Sequence, residues 1–159
     1  MSIQIGDKIP QATLNYLKDG VQAINTDELF AGKKVVLFAV PGAFTPTCSA
    51  KHLPGYVAKS EEFQKRGIDV ACLSVNDAFV MGAWAKSQEV PDSVQMLADG
   101  NGVFTKALGL ELDATAFGMG LRAKRFALYA EDGVVKQLFV EAPGEFKVSA
   151  ADYVLEHLA

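Results

Sequence analysis

Apolar residues along the chain come in short runs, each closed by glycine, proline or small polar residues. Val35-Val36-Leu37-Phe38-Ala39-Val40 and Ile68 to Val75 are continuous and rich in β-branched side chains, which predicts two buried strands. Val94 to Ala98 reads as a third, shorter strand. Ala12 to Leu17 and Val21 to Ile24 flank Lys18-Asp19-Gly20, while Phe126 to Ala130 and Val134 to Val140 flank Glu131-Asp132-Gly133. Both pairs predict hairpins. Asn25 with Glu28 resembles a capping box, opening a short helix that stops near Gly32. Thr47 to Arg66 predicts a helix that Pro54-Gly55 kinks or breaks. Asp77 to Gln88 predicts another, capped by Asn76 or Asp77. Asn101 to Leu108 reads as a short helix ending at Gly109, and Ser149 to Leu158 as a C-terminal one. Strands and helices alternate and a hairpin and helix follow. That order predicts an α/β fold: a central mixed β-sheet flanked by helices, with an N-terminal β-hairpin.

Composition narrows the class. The chain has 159 residues and half of them are hydrophobic, enough for one domain with a real core. It contains no repeat, low-complexity stretch or long linker, so residues 1–159 are expected to form a single domain. No apolar run approaches the roughly 18 residues that span a membrane. Met1-Ser2-Ile3-Gln4-Ile5-Gly6-Asp7-Lys8 lacks the apolar core of a signal peptide. The expectation is a soluble, cytoplasmic protein without a membrane partner. A formal charge of −4 and the lack of any cationic cluster beyond pairs such as Lys33-Lys34 argue against nucleic acid as a partner. Two cysteines, Cys48 and Cys72, are too few for a disulfide scaffold, so a reducing compartment fits best.

The candidate chemistry gathers at Cys48. The strand ending at Val40 runs into the loop Pro41-Gly42-Ala43-Phe44-Thr45-Pro46-Thr47, and Cys48 falls where a new helix begins. A helix start offers unpaired N–H groups and partial positive charge, which stabilise a thiolate, the reactive form of the sulfur. A cysteine that reduces a peroxide must attack one oxygen in line while the other departs with negative charge, so donors or a cation must be in place. Helix-start N–H groups and the Thr45 hydroxyl can serve, and Pro41 and Pro46 stiffen the loop. Arg122 and Arg125 precede the strand at Phe126 and offer a permanent cation with a rigid fork of donors.

These residues resemble the peroxiredoxins, the thiol peroxidases. Pro41-x-x-x-Thr45-x-x-Cys48 matches their active-site signature. The block from Pro41 to Tyr56, with Ala71 to Val80 and Lys124-Arg125-Phe126-Ala127, is similar to the type-five subfamily. The resemblance implies a thioredoxin-like fold and peroxide reduction with no metal or organic cofactor. It implies Cys48 as the peroxidatic cysteine, Pro41 as its shield and Thr45 as the holder of thiolate and peroxide. Arg125, by its place before the strand, would be the active-site arginine. Many members carry a second, resolving cysteine near the C-terminus. Here Ala142 to Ala159 has none, and Cys72 lies inside an apolar strand. A one-cysteine mechanism is therefore expected. Cys48 would become a sulfenic acid on hydrogen peroxide or an alkyl hydroperoxide, and an external thiol would resolve it, either glutathione with glutaredoxin or thioredoxin. The alternative is a non-enzymatic peroxide sensor that signals through Cys48 oxidation. A third reading, a redox-inert adaptor, requires Cys48 to be unreactive.

Other residues read more plainly. Cys72 is a structural core residue and Arg122 a solvated neighbour. His52, four residues after Cys48, either raises thiolate character or points to solvent. His157 is a helix-end surface residue. Phe44, Phe79, Trp84 and Phe117 read as core, although the resemblance makes Phe44 and Phe79 candidates for contact in a homodimer. There is no Walker loop, no metal-binding spacing and no Ser-His-Asp set.

Overall fold

The long apolar runs lie at the centre of one sheet. In the computed structural model, which describes residues 2–158, they form β3 (Lys34–Ala39) and β4 (Ile68–Ser74). These pair in parallel, with Phe38 opposite Cys72, and β5 (Val94–Ala98) extends them in parallel. Strands covered on both faces need apolar residues at every position, hence runs without alternation. From β3, Val36 and Phe38 enter one core with Cys48, Tyr56, Trp84 and Val154. Val35, Leu37 and Ala39 enter a second core with Leu14, Phe30, Phe104 and Phe126.

Hairpins close the two sides. β1 (Thr13–Leu17) and β2 (Val21–Asn25) form the N-terminal one and meet β5 through Asn15 and Ala98. On the other side β8 (Phe126–Glu131) runs antiparallel to β3 and turns into β9 (Val134–Val140). The sheet order is β2-β1-β5-β4-β3-β8-β9. This mixed sheet flanked by helices is the thioredoxin-like arrangement that the resemblance implies.

Local signals account for most helices. The Asn25 side chain accepts from the Glu28 N–H and opens α1 (Thr26–Phe30). Asp77, rather than Asn76, caps α4 (Ala78–Ser87) by accepting from the Val80 N–H. α5 (Val103–Leu108) stops at Gly109, whose φ of 71° lies in the left-handed region. α6 (Ala151–His157) follows a loop after β9.

Three expectations need correction. The helix after the Cys48 loop does not break at Pro54-Gly55. A π-helical turn over Cys48–His52, closed by a bond from the Leu53 N–H to the Cys48 carbonyl, leads into α2 (Leu53–Ala58), and Pro54 falls in the first turn of α2. Pro54 has no N–H to donate, and the wider π-helical turn ahead of it carries the helix past this position without a break. The break comes at Lys59, before α3 (Ser60–Lys65). A two-stranded sheet, β6 (Glu111–Asp113) with β7 (Leu121–Ala123), lies where no strand was expected. Three-residue strands show no period to detect. Phe44, Phe79 and Phe117 are not core residues: they are 55%, 65% and 82% exposed. Phe117 sits on the turn between β6 and β7, beyond the reach of either core. Trp84 is fully buried, as expected.

Candidate active site

The loop after β3 is held from three directions. Its Ala43 N–H donates to the Asn76 side chain at 3.1 Å, at the end of β4. The Thr45 hydroxyl donates to the Gly42 carbonyl at 2.6 Å. Arg122 donates through Nε to the Met119 carbonyl at 3.0 Å and through Nη1 to the Pro41 carbonyl at 3.4 Å. Arg122 is therefore a half-buried clamp on the loop rather than a free solvated neighbour. Gly42 permits this approach, since a Cβ there would meet Arg122 Nη1 at 2.9 Å and Thr45 Cγ2 at 3.1 Å. Phe44 takes a φ of 64°, a strained value for a bulky residue.

The chain turns helical at Pro46. The first i→i−4 bond joins the Ser49 N–H to the Thr45 carbonyl at 2.9 Å. Cys48 therefore stands in the first helical turn, where N–H groups have no intrahelical acceptor. Its side chain is buried at the carboxyl end of the central strand, and Arg125 Nη2 lies 3.1 Å from its sulfur. Arg125 directly precedes β8, the antiparallel neighbour of β3, which carries its side chain across to Cys48. Trp84 Nε1 donates to the Ser49 hydroxyl at 3.0 Å and ties this turn to α4.

Of the four expected site residues, Cys48 and Arg125 are joined directly. Pro41 and Thr45 lie on the same loop, and among the described residues no hydrogen bond links Thr45 to Cys48. Because the Thr45 proton is committed to the Gly42 carbonyl, the hydroxyl presents lone pairs to the pocket. It is set to accept a proton-bearing oxygen rather than to donate to one.

His52 settles differently from both readings open in the sequence. It is fully buried, with Nδ1 2.7 Å from Arg125 Nη1 and Nε2 3.1 Å from the Ser149 carbonyl. Burial first, and then the Arg125 charge, hold its pKa down at about 3 despite the favourable Ser149 contact. Cys72 is buried beneath the site, and both cysteines are free. Burial pushes the Cys72 thiol up, and the nearby Cys48 sulfur adds to the effect. A thiol held protonated in an apolar strand is a poor nucleophile. Among the described residues no three His, Cys, Asp or Glu side chains converge to hold a metal ion.

The arrangement suits nucleophilic attack by sulfur on a small polar molecule. A cation faces the sulfur, acceptor lone pairs lie on the loop, and the helical turn that carries Cys48 begins here. Comparison with known proteins agrees with this chemistry. Residues 4–155 match the model of the family described as Redoxin. The chain is 53% identical to chloroplastic peroxiredoxin-2E of Arabidopsis thaliana over 99% of its own length and 70% of that protein's. The structure superposes with a TM-score of 0.94 on reduced Prx3 from Vibrio vulnificus in complex with hydrogen peroxide, at 52% identity and covering 99% of both chains. It superposes with a TM-score of 0.91 on the Plasmodium falciparum antioxidant protein, a 1-Cys peroxiredoxin, at 30% identity and covering 98% of both chains.

Proposed function

The chain belongs to the Redoxin family and is a peroxiredoxin, a thiol-dependent peroxidase; from that premise we propose that Cys48 is its peroxidatic cysteine and that it works by a one-cysteine mechanism of the type-five subfamily. The observation that carries the reading is the 3.1 Å contact between Arg125 Nη2 and the Cys48 sulfur. The thiolate of Cys48 attacks one oxygen of hydrogen peroxide or an alkyl hydroperoxide. The O–O bond breaks, sulfur takes the hydroxyl to become a sulfenic acid, and the departing oxygen takes a proton from solvent to leave as water or alcohol. Arg125 stabilises the charge that moves from sulfur to the leaving oxygen. Thr45 accepts a hydrogen bond from the peroxide O–H, and Pro41 keeps bulk water from the sulfur. No cofactor is required, since the sulfur itself is oxidised.

An external thiol then condenses with the sulfenic acid, water leaves, and a second thiol frees Cys48 by exchange. Glutathione with glutaredoxin, or thioredoxin, supplies these thiols. Support for external resolution comes from Cys72, which is buried, and from a segment after β9 that has no cysteine. We further read residues 1–159 as one domain acting in the reducing cytoplasm, with residues 1 and 159 outside those described. No helix is long and apolar enough to cross a membrane among the described residues. We assign a homodimer contact to Phe44 and Phe79, two exposed rings on segments joined by the Ala43–Asn76 hydrogen bond.

The test is mass analysis of the reduced protein after one equivalent of peroxide without added thiol. The expected product gains one oxygen atom, and Cys48→Ser gains none. Adding glutathione should convert it to a single glutathione adduct, and steady-state turnover should require an added thiol. A quantitative loss of two hydrogens, mapped to a Cys48–Cys72 bridge, would overturn the one-cysteine reading. Oxidation without turnover under any thiol reductant would favour the sensor.

A further inference from the structure

A line of hydrogen bonds runs from the end of β9 to the Cys48 sulfur, and His52 stands at its centre. Glu141, buried just beyond β9, accepts on Oε2 from the backbone N–H groups of Lys147 at 2.7 Å and Ser149 at 2.8 Å, and from the Ser149 hydroxyl at 2.7 Å. These bonds fix the Ser149 peptide. Its carbonyl accepts the Tyr56 hydroxyl at 2.6 Å and faces His52 Nε2 at 3.1 Å. His52 Nδ1 faces Arg125 Nη1 at 2.7 Å, and Arg125 Nη2 faces the Cys48 sulfur.

The two partners dictate where the imidazole proton sits. A carbonyl oxygen can only accept, so Nε2 carries hydrogen and donates to Ser149. A guanidinium can only donate, so Nδ1 carries a lone pair and accepts from Arg125. The ring is therefore the neutral Nε2–H tautomer. Its setting agrees: the rings of Phe38, Tyr56 and Phe146 surround it at centroid distances of 5.1, 5.7 and 5.0 Å. A charged imidazole there would face Arg125 with like charge and would lose the lone pair that Arg125 uses.

Arg125 needs such a partner. Its side chain forms no ion pair among the described residues. The guanidinium lies 5.8 Å from the Phe146 ring centroid, which covers it without setting the rotation of the fork. A donor contributes to a charge-shifting step only if it is aimed before the charge moves. We propose that His52 is a positioning residue for peroxide reduction: as the neutral Nε2–H tautomer anchored on the Ser149 carbonyl, it holds through Nδ1 the guanidinium plane that Arg125 presents to the Cys48 sulfur. This rests on the reading of Cys48 as the attacking thiolate and deepens it. His52 touches neither sulfur nor peroxide and acts through Arg125.

Three variants separate aiming from packing. His52→Leu fills the apolar site and removes both nitrogens. His52→Asn leaves a cavity but returns an acceptor, Oδ1, near the position of Nδ1. His52→Gln carries its amide farther out, toward Ser149. The second-order rate constant for Cys48 oxidation by hydrogen peroxide is measured in single turnover, beside Cys48 alkylation by iodoacetamide and the urea midpoint. The expected order of oxidation rates is wild type, Asn, Gln, Leu, with Leu about 10- to 100-fold down and Asn within about fivefold of wild type. Packing alone gives the reverse order for Leu and Asn, because a buried cavity costs more than an isosteric apolar fill. A folded Leu variant reacting at the wild-type rate, or an Asn variant no faster than Leu, overturns the proposal. If the Leu variant does not fold, Asn must still exceed Gln. Should wild type itself react slowly with peroxide, the peroxidase reading fails. Alkylation, which reads the thiolate without any O–O bond, then still tests the His52–Arg125 link by the same order.

Discussion

At the scale of single residues, the site depends on two arginines with different work. Arg125 uses two separate nitrogens, Nη2 on the Cys48 sulfur and Nη1 on His52. A lysine ammonium is one compact centre and cannot span both positions. Arg125→Lys should therefore lower the rate constant for peroxide reduction by about 100-fold, the usual loss when a well-aimed donor disappears from a charge-shifting step. Arg122 instead binds two backbone carbonyls of the loop wall, and a lysine can keep one of them. Arg122→Lys should lower the same constant only severalfold. Single-turnover oxidation of both variants decides, and the reverse order would mean that the loop clamp carries the chemistry. The difference in legibility between these residues is physical. Pro41, Thr45 and Cys48 lie within one short loop, so their spacing alone displays them. Arg125 is 77 residues from Cys48, and only its place before a predicted strand distinguishes it. His52 was beyond sequence reasoning, because its orientation depends on Ser149, 97 residues away.

At the scale of elements, what can be read from sequence divides along the same line. The hairpins, the Asn25 and Asp77 caps and the Gly109 stop depend on residues a few positions apart, and each is where its local signal put it. The π-helical turn at Cys48–His52 depends on a change of helical register with no residue signature. That register nonetheless matters, since it sets where the His52 ring lies relative to Cys48. The segment from Glu141 to Val148 had no predicted structure, and Ser149, expected to open the C-terminal helix, lies outside α6; both are held by a buried carboxylate instead of a helix or strand. Glu141→Ala would leave the Lys147 and Ser149 N–H groups without their acceptor, a loss of about 2–3 kcal/mol where such groups stay buried. It should also slow peroxide reduction, because the Ser149 carbonyl would lose its restraint and release His52. Glu141→Gln keeps one acceptor oxygen. Its amide nitrogen can take the place of Oε1, which is buried without a protein partner among the described residues, so it should stay closer to wild type on both measures. Urea unfolding with single-turnover kinetics tests this, and an Ala variant of wild-type rate would uncouple the segment from the site.

At the scale of the whole molecule, the network that aims Arg125 also makes the fold sensitive to acid. The folded protein holds the His52 pKa at about 3, against an ordinary 6.5, through burial and the Arg125 charge. As pH falls from about 6.5 toward 3, the unfolded chain takes up a proton that the folded chain refuses. Stability is therefore complete above 6.5 and declines below it, by as much as about 4–5 kcal/mol across the full window. Glu141 acts in the same direction at lower pH. Burial raises its carboxyl, but hydrogen bonds from the Ser149 side chain and from the Ser149, Lys147 and Val148 N–H groups outweigh that and hold it below its ordinary 4.5. Its contribution is lost as pH falls from that value. The Tyr56 phenol, which also faces His52, is pushed up by burial and stays neutral across this range. Against a typical domain stability of about 5–15 kcal/mol, a loss of this size removes a large share of what holds the fold. Urea midpoints from pH 7 to pH 4 should fall steadily for wild type. Between pH 6.5 and 5, where Glu141 contributes little, the His52→Asn protein should stay nearly flat, because it has no imidazole for the unfolded state to protonate. Parallel slopes in the two proteins over that interval would show that His52 is not the group that couples the fold to acid.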